Sequence, residues 1–327
     1  MAPRAFRSIG SVPKADLRQL FDEEGAMWAE DLRWSFEPTR RRLEGAFDEG
    51  ALSGLVAYDH AGACAYATYA VDGRRGVLGS IFSSERARPT GVEALLVERI
   101  LRRLAVCVMH PDRDGGTDPG IPTIDCQTLF SSSRSLQKPF SARGFDSAAR
   151  IYMDLDRTEW RRPVRPSGAD LPSRPLRRLD LHPAARLVHE AHLDTCRLDA
   201  SSSFDTPDSC ERILRQIVID EVCGTFDASG SRVAEHEEGI AALVILTWPY
   251  PGVAHLSEVA TAPAFRRQGL ARQCVAEALT VAFEQQGARG VTLSVTATNE
   301  GAITLYESIG FRPRVQYVSH VWRGRNA

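Results

Sequence analysis

Apolar positions along this chain follow two periods. Where they recur at helical spacing they predict helices over residues 15–21, 39–47, 92–105, 183–195, 208–218 and 270–286. Where they alternate, or run β-branched between turn residues, they predict strands over 54–59, 64–71, 77–83, 122–130, 176–181, 221–228, 240–248, 254–261, 290–298 and 315–322. The 270–286 helix puts Leu270, Cys274, Val275, Ala278, Leu279, Ala282 and Phe283 on one face and ends near Gln286-Gly287. The strands 221–228 and 240–248 read as a hairpin whose acidic loop carries Glu235, Glu237 and Glu238.

The order of elements repeats. Two helices, a three-strand meander, an amphipathic helix and a strand fill the first half, and the second half runs the same way. PFSARGF (139–145) stands where LYESIGF (305–311) stands later. The expected architecture is α/β, with a mixed sheet of the α+β kind, built twice in tandem. The copies span 1–156 and 176–327, joined by the Pro- and Arg-rich linker RTEWRRPVRPSGADLPSRP (157–175).

Composition narrows the function classes. Hydrophobic residues make up 43% and charged residues 25%, ordinary for a soluble globular chain. A formal net charge of -2 argues against general nucleic-acid binding. No apolar run is long enough for a membrane span, and MAPRAFRSIGSVPKADLRQL lacks the apolar core of a secretory signal. The 7 cysteines are scattered without a C-x-x-C pair, which fits reduced thiols and a cytoplasmic location. His189, Glu190, His192 and Asp194 lack the i, i+4 histidine spacing of a zinc helix. HPDRDGGTDPG (110–120) lacks calcium-loop spacing and a closing Glu. No metal is expected, and the oligomeric state is left open.

The candidate chemistry lies in EVATAPAFRRQGLA (258–271). A strand, a turn through Pro263 and a glycine-bearing loop open the long helix, in the pattern Arg/Gln-x-x-Gly-x-Gly/Ala over Arg266, Arg267, Gln268, Gly269, Leu270 and Ala271. Such a helix start offers unpartnered backbone N–H groups and the positive end of the helix dipole, which suit a diphosphate. Gly269 and Ala271 let an anion approach the backbone, and Arg266 and Arg267 add positive charge.

With the block N-x-x-A-x-x-L-Y-E-x-x-G-F from Asn299 to Phe311, the region from about Pro175 to Arg323 resembles the GNAT superfamily of acyl-CoA-dependent N-acyltransferases. The tandem layout is similar to that of mycothiol synthases, but no acceptor-side motif carries that likeness further. The resemblance implies acetyl-CoA or another acyl-CoA as cosubstrate, and an amine acceptor that is a small molecule, peptide or protein. It assigns the diphosphate to the backbone of 267–272, including Arg272, and the pantetheine arm to Val259, Ala260 and Thr261 with Asn299 and Ala302. It assigns protonation of the departing thiolate to Tyr306 and places a general base at Glu258. His255 is the second candidate for the base; in a regular strand it and Ser257 point away from Glu258. The loop 198–208, with Asp194, Asp199 and Asp205 near it, would border the acceptor. Asn299 also suits a helix N-cap, and Tyr306 a core aromatic. The competing function is a non-catalytic acyl-CoA sensor or scaffold.

The first copy departs from the pattern. Its loop is Arg88, Pro89, Thr90, Gly91, Val92, Glu93: Pro89 lacks a donor, and Glu93 puts a carboxylate where a small residue belongs. Phe140 replaces Tyr306 and has no proton to give. The first copy is therefore expected not to catalyse.

Overall fold

The computed structural model describes residues 5–109, 121–129, 134–162, 171–193 and 200–324. The N-terminal half runs β1 (Ala5–Ser8), α1 (Lys14–Met27), α2 (Glu37–Asp48), β2 (Ser53–Asp59), β3 (Gly62–Asp72), β4 (Arg75–Ser83), α3 (Val92–Met109), β5 (Thr123–Thr128), α4 (Arg134–Ser141) and β6 (Asp146–Asp156). The C-terminal half runs β7 (Ser173–Pro175), α5 (Leu181–His192), α6 (Pro207–Val218), β8 (Thr225–His236), β9 (Gly239–Tyr250), β10 (Val253–Thr261), α7 (Leu270–Thr280), β11 (Gly290–Thr296), α8 (Glu300–Ile309) and β12 (Arg312–Arg323). Among the described residues no helix is long and apolar enough to cross a membrane.

The strands form one 12-stranded sheet in the order β1-β2-β3-β4-β5-β12-β6-β11-β10-β9-β8-β7. The two halves exchange their last strands. β6 of the first half pairs antiparallel along the whole of β11, from Gly290↔Asp156 to Thr296↔Arg150. β12 of the second half pairs with β5, from Val318↔Thr128 to Arg323↔Thr123. β6 and β12 then pair with each other at the centre. Both strands are long and have a buried partner on each side, so the exchange closes two edges that would otherwise stand open.

Helices cover both faces. α7 and α8 bury Leu279, Phe283, Ile309 and Phe311 against β8–β11 and β6. α5 and α6 bury Leu187, Val188, Leu214 and Ile217 on the opposite face, against Val233, Leu243, Ile245 and Ala260. In the first half α3 and α4 form one such layer and α1 the other. A fully buried side chain of this size contributes about 1.5–3 kcal/mol, so each half carries a core on both faces of its sheet.

Several predicted elements differ in extent. The strand expected over 176–181 is absent: β7 ends before it at Pro175, and the chain turns through Arg178–Asp180 into α5, with Asp180 accepting the Arg177 N–H at 2.7 Å and pairing with Arg174. Glu235 lies within β8, so the hairpin turn is shorter than the expected acidic loop. β1 and β6 are strands that periodicity did not mark. Asp194, Asp199 and the 110–120 loop lie outside the described residues.

Candidate active site

β10 and β11 run parallel but pair only from Val253↔Gly290 to Leu256↔Leu293. Beyond Leu256 they separate. From Glu258 to Thr261, β10 pairs with β9 alone, so its other backbone edge is left open. The cause is local. Between the pairs Leu256↔Leu246 and Glu258↔Ile245 the register shifts, and Ser257 is the extra residue of a β-bulge.

The bulge corrects the expected side-chain alternation. His255, Glu258 and Ala260 share the face covered by α5 and α6, instead of lying on opposite faces. His255 meets Trp34 and Tyr152 there, Glu258 meets His192 of α5, and Ala260 joins the α5–α6 core. The extra residue resets the period of two, which no reading of a regular strand anticipates.

The separated strands open a cavity of about 740 Å³, within the range of small-molecule clefts. Val259, Ala260 and Thr261 line it from β10, and Asn299, Ala302 and Tyr306 from the start and middle of α8. Arg266, Arg267, Gly269, Leu270, Ala271 and Arg272 line it from the loop and first turn of α7. Twelve of the fourteen residues expected at the site therefore meet around this space. Gln268 is on the loop but turns its amide to the Ala264 carbonyl, 3.1 Å away. Glu258 sits behind the lining, its carboxylate 3.4 Å from His192 Nε2.

The loop is built to gather donors. Arg267 has φ 63° and Gly269 has φ 85°, so two left-handed residues curl the backbone just ahead of α7. Alternating hands of this kind turn successive N–H groups inward into an anion-binding concavity. The position at Arg267 is strained for a residue with a Cβ. Arg266 is anchored on the Ala191 carbonyl at 2.8 Å, and Arg272 on Ser308 at 2.5 Å. Those contacts tie the loop to α5 on one side and α8 on the other. Asn299 caps α8, its side chain accepting the Ala302 N–H at 3.1 Å, so the capping role is present beside its place in the lining.

Tyr306 is only 6% exposed. Burial above all, and then the negative charge of Glu258, raise its pKa, so the phenol keeps its proton. Its ring packs edge-on to Phe311 at 5.9 Å.

His255 is a poor candidate for a base. Its Nδ1 hydrogen-bonds Thr292 Oγ1 at 2.9 Å, and burial drives its pKa down to about 3. The sign follows from linkage. The unfolded state binds a proton near 6.5 that the folded state refuses down to about 3. His255 therefore supports folding fully above 6.5, and that support is lost as pH falls. Glu24, buried under Tyr66 and Trp28 with a pKa near 7 against 4.5, opposes it: its contribution is full below 4.5 and lost as pH rises through 7. Between pH 6.5 and 4.5 the two slopes oppose each other, so the contribution of His255 shows as a difference: relative to wild type, the urea stability of His255→Phe should gain up to about 1.4 kcal/mol per pH unit as pH falls below 6.5. A constant difference between the two proteins across that range would show that His255 does not titrate in this way.

The first half repeats the frame with different side chains at the corresponding positions. β4 pairs with β5 only from Arg75↔Thr123 to Leu78↔Cys126, and a bulge follows. Gly91 takes the left-handed conformation ahead of α3, as Gly269 does ahead of α7. Here, though, the Glu93 carboxylate is buried and accepts a 2.6 Å hydrogen bond from Ser83. Phe140 is fully buried and stacks on His320 at 3.8 Å.

Residues that sequence reading did not place come largely from the other half. Trp34 and Tyr152 wall His255, and Arg150 of β6 reaches Thr296 at 3.2 Å. Their approach depends on the exchanged strand and left no local pattern. His192 was legible as part of a polar helix face, and its stacking on Phe204 at 3.9 Å fixes it beside Glu258.

Residues 195–311 match the profile of the Acetyltransferase (GNAT) family. A GCN5-related N-acetyltransferase from Sphaerobacter thermophilus superimposes with a TM-score of 0.69 at 19% identity, covering 100% of this chain and 99% of that one. A tandem GNAT protein from the clavulanic acid biosynthesis pathway gives a TM-score of 0.57 at 14% identity, covering 99% of both. No curated protein matches the sequence. Residues 195–311 thus resemble a GNAT-family domain, and the whole chain has the fold of these tandem GNAT structures.

Proposed function

We propose that the protein is an N-acyltransferase that moves an acetyl or other acyl group from acyl-CoA to a primary amine, by direct attack in a ternary complex. The observation that carries this reading is the meeting of three features at one cavity: the curled donor loop, the open edge of β10, and the protonated phenol of Tyr306 beside Glu258. The loop N–H groups and the guanidiniums of Arg266, Arg267 and Arg272 would hold the diphosphate. The open edge at Val259–Thr261 would bond the pantetheine arm and polarise the thioester carbonyl; fixed backbone donors act most strongly where charge develops. Glu258 would take a proton from the attacking amine, directly or through water, and Tyr306 would return one to the leaving sulfur. The acceptor would be a small molecule, a peptide or a protein amine.

Thiol release from acetyl-CoA in the presence of an amine panel tests the proposal. Amine-dependent release supports it; coenzyme binding without release under any amine would favour a sensor or scaffold. Glu258→Gln keeps the shape and removes the basicity. It should abolish the acidic limb of the pH–rate profile and lower the rate roughly a hundredfold at the plateau. An unchanged limb would transfer the role to the substrate amine, since His255 is already deprotonated across that range.

A further inference from the structure

We propose that the acceptor amine also carries a carboxylate, and that Arg150, contributed by the N-terminal half, binds it. This rests on the acyl-transfer reading and names the acceptor class for that same site.

Arg150 lies on β6 directly opposite Thr296 of β11 and opposite Tyr317 of β12. Thr296 is the last residue of β11, three residues before Asn299 in the cavity wall. Arg150 is thus carried to the mouth of the split between β10 and β11 by the exchanged strand. On that strand it alternates in step with Tyr152, so it faces the side where His255 and Glu258 lie.

The guanidinium is poorly satisfied. Its one hydrogen bond within the protein is from Nη1 to Thr296 Oγ1 at 3.2 Å, and its Nε is buried without an acceptor. No carboxylate among the described residues pairs with it. Other arginines of the central strands differ. Arg314 pairs with Asp154, Arg323 with Asp205 and Asp146, and both Asp154 and Asp156 approach Arg33. A fixed, half-buried guanidinium left with spare donors matches the planar, two-oxygen geometry of a carboxylate.

The opposite charge stands across the split. Glu258 and Arg150 both act on the Tyr306 phenol, the first raising and the second lowering its pKa, so the hydroxyl is within electrostatic reach of both. Their strands are separated by β11, at least about 10 Å, because β10 splays from β11 beyond Leu256. That separation would leave room for a short zwitterion between the two charges. Its amine would lie toward Glu258 and His192 and its carboxylate toward Arg150, with the neighbouring Tyr317 and Ser294 hydroxyls bonded to each other at 2.6 Å. A cation without a carboxylate partner at the mouth of the split would also disfavour plain monocationic amines. The degenerate half would then set acceptor choice while taking no part in the chemistry.

The test is a matched panel: free amino acids and short peptides, each beside its C-terminal carboxamide, assayed with acetyl-CoA for thiol release. The best pair should favour the free acid by about tenfold or more in kcat/KM, because a site that binds a charged group rejects analogues lacking it. Arg150→Met should bring that ratio close to one with coenzyme affinity unchanged by calorimetry, and Arg150→Lys should keep part of it. Equal rates for acid and amide in the wild type would overturn the proposal. So would an Arg150→Met variant that slows both members equally, since Arg150 would then serve the reaction and not the acceptor. If no pair turns over, acyl transfer is what has failed. The anion site is then judged by ligand-observed NMR, titrating the coenzyme A-loaded protein with N-acetyl amino acids. Binding to wild type and its loss in Arg150→Met supports the site; equal behaviour of the two overturns it.

Discussion

Tyr306→Phe should lower kcat by roughly a hundredfold or more, the usual loss when a positioned general acid is removed. Coenzyme affinity should change little. The substitution removes one oxygen and keeps the ring, which is held edge-on to Phe311 within the core of α7 and α8. The Tyr306 hydroxyl has no hydrogen-bond partner among the described residues, so no buried group is stranded by its loss. The large effect is expected because the surroundings keep the proton in place. Burial, and then the Glu258 charge, hold the phenol protonated well beyond neutral pH. Steady-state kinetics at saturating acyl-CoA and amine, with calorimetry beside them, separates the two quantities. An unchanged kcat would reduce Tyr306 to a packing residue, a role its 6% exposure also allows.

Much of the loop side of the cavity was legible because its parts are local. A glycine forced to positive φ, a helix start and a short run of arginines are neighbours in sequence, and the structure joins them within one turn of chain. The departures of the first copy from the pattern were readable for the same reason: Glu93 and Phe140 stand at single positions, and both are buried where the pattern has a small residue and a phenol. The side that faces the N-terminal half was not legible. β6 has no periodicity that marked it as a strand, and β12 was marked but could by its pattern pair with either half. Their exchange is fixed by long-range register, and it brings Arg150 and Tyr152 beside a site more than a hundred residues away. The bulge at Ser257 was equally hidden, since an extra residue is visible only against the partner strand. It is nevertheless what puts His255 and Glu258 on one face and frees the edge of β10. The same logic explains Leu176 and Leu181. Both are buried, as expected, but Asp180 draws the chain into a turn between them by pairing with Arg174 and the Arg177 N–H.

Gly269→Glu should abolish coenzyme binding without unfolding the chain. Two effects act at the same atom. Gly269 holds φ 85°, a conformation that costs residues with a Cβ about 1–2 kcal/mol. Gly269→Ala isolates that strain and should weaken binding by about tenfold. The glutamate adds a carboxylate facing a diphosphate among inward-turned N–H groups, where repulsion is only weakly screened. The first half already contains a version of this experiment, because Glu93 sits two residues past the left-handed Gly91, buried and bonded to Ser83. Calorimetric titration of the wild type with coenzyme A should accordingly give one site per chain. The Gly269→Glu variant should give none, with the circular dichroism of the wild type and a melting midpoint lowered by only a few degrees from the backbone strain. Two equivalent sites in the wild type, or one site surviving in Gly269→Glu, would mean that the first half binds coenzyme despite Glu93. The buried carboxylate would then have to be displaced by the ligand, and Glu93→Ala would be expected to tighten the surviving site.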